Sequence, residues 1–260
     1  MNPRQRALDI LSLTDPQAKA RGARALFATL QLDALDADAD LTPVGPLPGR
    51  LPRPRLVGAK DVPKRSPYTT EGRAALLHSV THIELNAIDL ALDAAWRFPG
   101  MPPAYYRDWL RVASEEALHF TLLREHLQTL GYDYGDFDAH DGLWAIAQRT
   151  AHDITARMAL VPRTLEARGL DATPPMQARL RKAGDERAVE ILGVILRDEV
   201  GHVAIGNHWY RFLCARDGLD PLALYPELAA LYGAPRLRAP FNVEARLAAG
   251  FTAAEIARLA

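Results

Sequence analysis

The chain has 260 residues, and its 31 lysines and arginines nearly balance 32 aspartates and glutamates, for a formal net charge of −1. That balance excludes a whole-molecule electrostatic grip on nucleic acid or on an anionic membrane. Cys214 is the only cysteine, which excludes an internal disulfide and a thiolate zinc site.

The first residues, MNPRQRALDILSLTDPQAKA, lack an apolar core of signal-peptide length. No stretch approaches the roughly 20 apolar residues of a membrane span. A cytoplasmic protein with no membrane partner is expected.

Residues 5–31 read as one or two short helices, with Asp15 as an N-cap ahead of Pro16. Residues 41–68 differ in kind, because seven of the 19 prolines fall there. That composition favours extended, polyproline-like chain. Leu41, Val44, Leu47, Leu51, Leu56 and Val57 give the segment something to bury, so it is expected to wrap over the main body as an arm.

Four helices are predicted between 70 and 216. The first runs from about Thr70 to Phe98, with Leu76, Leu77, Val80, Ile83, Leu85, Ile88, Leu92 and Trp96 at helical spacing. The second runs from about Pro102 to Leu130 and stops at Gly131. The third spans about Asp141 to Gly169, with Pro162 expected to bend it. The fourth spans about Pro175 to Cys214, with a break at Gly184-Asp185. After Asp220 one short helix is expected, Thr252 to Leu259, with Thr252 and Glu255 at capping-box positions.

This divides the chain into N-terminal helices and a proline-rich arm (1–69), a four-helix bundle (70–216) and a C-terminal extension (217–260).

Two of the helices carry Glu-x-x-His: Glu116 with His119, and Glu199 with His202. Residues three apart share a helix face, so a carboxylate and an imidazole reach one ion. The other two helices supply Glu84 and Glu166. Glu84 precedes Glu116 by 32 positions and Glu166 precedes Glu199 by 33. The two halves are offset by 82 for the single glutamates and by 83 for both members of the Glu-x-x-His motifs.

The chain thus reads as two helix pairs with equivalent polar positions. One Glu from each of two helices plus Glu-x-x-His from each of the other two is the donor set of ferritin-like di-metal carboxylate bundles. Four carboxylates and two neutral imidazoles offset the charge of two divalent ions. Oxygen and nitrogen donors without thiolate suit iron, with manganese the alternative.

Glu166 lies only three residues before Gly169, near an expected helix end, and Asp153 is the alternative donor from that helix. The matched intervals favour Glu166. Glu115 and Asp198 each precede a ligand glutamate and could accept the free N–H of a ligand histidine, or simply solvate the helix surface. His78 and His82 lie near Glu84 on other faces and are expected to be surface or packing histidines.

The segments HIELNAIDLALDAAWRF, SEEALHFTLLREHL, ARMALVPRTLEARGLD and ILRDEVGHVAIGNHWY resemble the blocks of the bacterial ferritin-like proteins grouped as DUF455. The resemblance covers most of the chain, including the leading prolines and PFNVEARLAAGF. It implies a di-metal site at Glu84, Glu116, His119, Glu166, Glu199 and His202. It also implies a more distant likeness to the di-iron monooxygenase that hydroxylates a modified adenosine in tRNA.

An O2-activating oxidoreductase of hydroxylase type is therefore the leading expectation. A small molecule or a modified nucleoside would be its substrate, and it would need an external electron donor. A homodimer is compatible with this reading. The alternatives are a ferroxidase or iron-storage protein, a manganese catalase, and a ferritin-like interaction protein without chemistry.

Overall fold

The computed structural model describes residues 1–259. Among them the chain is all-α, with one isolated bridge between Leu56 and Ala139 and no strand. It forms two compact units, Met1–Gly142 and Leu143–Ala260. The division falls inside the span 70–216 that the helix pattern suggests is one domain.

The first unit holds α1 (Pro3–Leu11), α2 (Pro16–Ala28), α3 (Thr70–Arg97) and α4 (Pro103–Thr129). Asp15 caps α2, accepting from the Ala18 N–H, with Pro16 in the first turn, as the Thr-Asp-Pro signal predicts. Thr69 caps α3 in the same way. The α3 and α4 helices are joined by the few residues Phe98–Pro102 and pack along their length, while α1 lies on α3 and α2 lies chiefly on α4. Their shared core includes Leu77, Ile88, Leu92, Trp109, Phe120 and Leu123, all buried. Ile83, which the spacing assigns to that core, is instead 43% exposed.

The arm does wrap over its own unit, but polar groups rather than leucines hold it. Gly49 donates its N–H to Leu11, and Lys19 Nζ donates to the Gly49 carbonyl at 3.0 Å. Farther along, Val57 donates to the Ala139 carbonyl, Ala139 donates to that of Arg55, and Arg55 pairs with Asp138. Val44, Leu51 and Leu56 stay exposed. A segment this rich in proline lacks the N–H groups for a ladder of its own, so it is fixed at the few places where a backbone donor or a long cation reaches a partner.

His78 and His82 are not on the surface. His78 is fully buried against Tyr134, with ring centroids 5.3 Å apart, and its Nε2 accepts the Gly135 N–H at 2.9 Å. Burial pushes its pKa down to about 4, so the ring is neutral in the fold. An unfolded histidine titrates near 6.5, so this contribution to stability is complete above that value and is lost as pH falls towards 4. We expect roughly 2–3 kcal/mol to disappear over that window. His82, also lowered by burial, adds to the slope. Urea unfolding at several pH values checks this: His78→Gln should flatten the slope between pH 6.5 and 4.5, and an unchanged slope would contradict it.

The second unit holds α5 (most of Gly142–Arg149), α6 (Ile154–Leu160), a π-helical turn Val161–Glu166, α7 (Ala167–Lys182), α8 (Glu186–Arg216), α9 (Pro221–Leu231), α10 (Val243–Ala248) and α11 (Ala253–Ala257). The single helix expected over 141–169 is therefore two helices and a π turn. The chain does not stop at Gly169 either, because α7 runs on through Pro174 and Pro175. A proline in a helix leaves the carbonyl four residues back without its donor. Here the Leu170 carbonyl accepts from Asn242 Nδ2 instead, and Arg246 is bonded to Asp171 and to the Ala167 carbonyl. The C-terminal segment thus serves the carbonyl that Pro174 leaves without a donor and ties itself to the Asp171 carboxylate, a long-range compensation that local sequence does not reveal.

The extension forms three short helices where one is expected. The capping box of Thr252 and Glu255 is present.

Candidate metal centre

Glu84 projects from α3, and Glu116 and His119 project from neighbouring turns of α4. Their donor atoms lie within 4.8 Å of one another. His119 Nδ1 stands 3.1 Å from Glu84 Oε2 and 3.2 Å from Glu116 Oε2. All three side chains are buried, and Glu116 and His119 are fully so.

The electrostatics of this trio are those of a cation site. Burial, with the Glu116 charge adding to it, pushes the Glu84 carboxyl up to about 8. Burial alone would lower His119, but the bonds to Glu116 and Glu84 outweigh it and raise the imidazole. Protons held by Glu84 and His119 balance the charge of this buried trio, and a divalent ion would take their place. The oxygen and nitrogen donors suit such an ion, so the residues present fit a divalent metal.

In the second unit, Glu199 and His202 share a face of α8, both buried, with Oε1 and Nδ1 3.9 Å apart. Glu166 is half-buried at the last position of the π turn rather than near a helix end. Asp153, the alternative donor of that region, caps α6 through the Ala156 N–H and accepts from the Tyr232 hydroxyl at 3.0 Å. Glu115 bonds to Arg111 and Asp198 to Arg197.

The family model described as "Protein of unknown function (DUF455)" matches residues 12–257. The chain belongs to the DUF455 family. A protein of Haemophilus influenzae bearing the name "Uncharacterized protein" is 51% identical over 257 residues, covering 95% of this chain and 89% of that one. No solved structure matches the chain.

In this DUF455 chain the π turn is built by specific contacts. π turns insert an extra residue into a helix and are frequent at functional sites. Pro162, at its start, has no N–H to offer, and Thr164 Oγ1 donates back to the Ala159 carbonyl at 2.8 Å. The buried guanidinium of Arg163 ties the turn to α8 through Asn207 and to α11 through Glu255, and lies over the rings of Tyr210, Tyr225 and Phe251.

Gly206, one turn beyond His202, makes room for the ring of Pro162. A Cβ there would lie 2.5 Å from Pro162 Cβ and 2.6 Å from Cγ. Helix propensity favours alanine over glycine by about 1 kcal/mol, yet neither the proline ring nor the helix can yield cheaply. We therefore expect Gly206→Ala to destabilise the second unit by about 1–3 kcal/mol net. Adding Pro162→Ala should recover most of the loss. Thermal unfolding of the single and double variants checks this, and a stabilised Gly206→Ala chain would contradict it.

The spacing did not signal the π turn, Arg163 or Gly206. The one local hint was a proline inside a helical pattern.

Among the described residues no helix is long and apolar enough to cross a membrane, and Cys214 is buried.

Proposed function

We propose that Glu84, Glu116, His119, Glu166, Glu199 and His202 together hold two iron ions in a ferritin-like four-helix bundle, and that the protein is an O2-activating oxidoreductase acting on an organic substrate. The observation that carries this reading is the buried Glu84–Glu116–His119 cluster. Its Glu-x-x-His partner set recurs 83 positions later on α8, where Glu199 and His202 are buried too.

A ferrous pair supplies the electrons for reducing dioxygen. The chain's part is to hold the ions with a donor set of matching charge and to keep water out. The carboxylates neutralise the metals, so no uncompensated charge stays in the core. Imidazole donors in place of thiolates suit iron or manganese. After each turnover an external donor would restore the ferrous state.

The test is anaerobic Fe(II) loading followed by exposure to O2, watched by optical and Mössbauer spectroscopy. The expected result is an antiferromagnetically coupled diferric centre. Iron that stays unbound, or that oxidises only as isolated mononuclear sites, would overturn the proposal.

A further inference from the structure

The arm from Gly49 to Leu56 roofs a cavity of about 250 Å³ in the first unit. Its inner wall is a face of α3 that carries His82, Leu85, Asn86 and Asp89, together with Lys19 and Tyr134. This is not the metal cluster. His82 and Asn86 stand two positions either side of Glu84, which places them about 200° round the helix from it.

The polar groups of this wall form a chain with one direction. A guanidinium can only donate. Arg50 Nη2 donates to Asn86 Oδ1 at 3.2 Å and to Asp141 Oδ1 at 2.8 Å, so the amide oxygen of Asn86 must face the arginine. The amide nitrogen then faces His82. It lies 2.8 Å from that residue's carbonyl and 3.0 Å from its Nε2.

His82 Nε2 is therefore the acceptor, and Nδ1–H donates to the Tyr134 hydroxyl oxygen at 2.8 Å. The His140 carbonyl, 3.3 Å from Nε2, is a longer contact that would require the opposite tautomer. With His82 as donor, the O–H of Tyr134 is turned away from the ring, and Tyr134 lines the cavity.

Arg50 and Tyr134 supply the donors a ligand would meet. Lys19 gives two of its three N–H groups to Asp89, at 2.5 Å, and to the Gly49 carbonyl. Arg50 uses only Nη2 among the described residues, so the donors on Nη1 and Nε remain. The side chain is only 25% exposed. The rest of the lining is mixed: Arg53, Arg55 and the paired Asp89 stand beside leucines and the prolines of the arm. Leu85 is buried within, and Leu51 and Leu56 stand at the rim, 46% and 40% exposed. A guanidinium edge and a phenolic donor beside these leucines match a carboxylate on a hydrocarbon body.

We propose that this cavity binds a small organic carboxylate, its head group held by Arg50 and the Tyr134 hydroxyl and its body by Leu51, Leu56 and Leu85. The volume is below the roughly 300–1,000 Å³ of pockets for drug-sized ligands, so the acid is a small one. The proposal stands apart from the metal reading, since it uses none of those residues.

The test titrates the full chain with hexanoate and benzoate, with hexanol and inorganic phosphate as comparisons, by calorimetry and by methyl-detected NMR. At least one acid should bind with a Kd of about 1 mM or tighter. Hexanol and phosphate should each bind at least about tenfold more weakly, and Tyr134→Phe should weaken the acid by about tenfold. Should Tyr134→Phe fail to fold, the wild-type spectra decide, because the acid must shift the methyls of Leu51, Leu56 and Leu85. Binding of neither acid, equal binding of hexanol or phosphate, or shifts confined to other methyls would each overturn the proposal.

Discussion

Replacing Glu84 with glutamine should leave the metal-free chain folded, with an unchanged or slightly higher melting temperature, and should abolish the rise that metal gives the wild type. Glu84 is 3% exposed and shares its pocket with fully buried Glu116 and His119. Without an ion, the carboxyl is held in an environment that disfavours its charge, as its raised pKa records. An amide of the same shape removes that cost.

With an ion the sign reverses, because the amide is a poorer donor and cannot neutralise the metal. A metal present at about one hundred times its Kd stabilises by about 2.7 kcal/mol. For a chain of this size that is a rise of about 5–10 °C. Calorimetric scans with and without Fe(II) under argon give both numbers. A Glu84→Gln chain that keeps the full metal-induced rise would remove Glu84 from the donor set.

Lys19→Met should have the largest effect on stability alone. Lys19 and Asp89 are each about 2% exposed and meet at 2.5 Å. Asp89 has its pKa raised by burial, with Lys19 pulling the other way. Removing the lysine leaves a carboxylate buried without its cation, which costs about 3–5 kcal/mol. It also removes the bond to the Gly49 carbonyl that pins the arm. We therefore expect two linked readouts: a lower urea midpoint, and faster proteolysis within residues 41–68. The double variant Lys19→Met with Asp89→Leu should recover most of the midpoint but not the protection of the arm, which separates the two roles. A single variant as stable as wild type would show that the pair contributes nothing.

What could be read in the sequence was whatever is local or periodic. The boundaries of α3 and α4, the caps at Asp15 and Thr252, and the Glu-x-x-His pair that meets Glu84 all follow from spacing and short-range chemistry. The rest depended on partners distant in the chain. Nothing near Pro174 announces that Asn242 will serve the Leu170 carbonyl, so a helix end at Gly169 was the natural expectation. The arm's leucines suggested apolar wrapping, yet its anchors are Lys19, Leu11 and Ala139, which its own composition cannot name. Of the surface and packing roles open to His78 and His82, packing is the one found, and the partners that decide it, Gly135 and Tyr134, come from the loop after α4. Asp153, the rival to Glu166 in the spacing, caps α6 and accepts from Tyr232, partners that its neighbours in the sequence do not name together.

The proposal that six residues from two helix pairs serve one di-metal centre is tested most directly by counting metal. The full chain, reconstituted with Fe(II) under argon and desalted, should carry about two irons by plasma mass spectrometry. His119→Ala and His202→Ala should each lower that count while the circular dichroism spectrum stays helical. A wild-type chain that retains no iron and no manganese, or a count that neither substitution changes, would contradict the account.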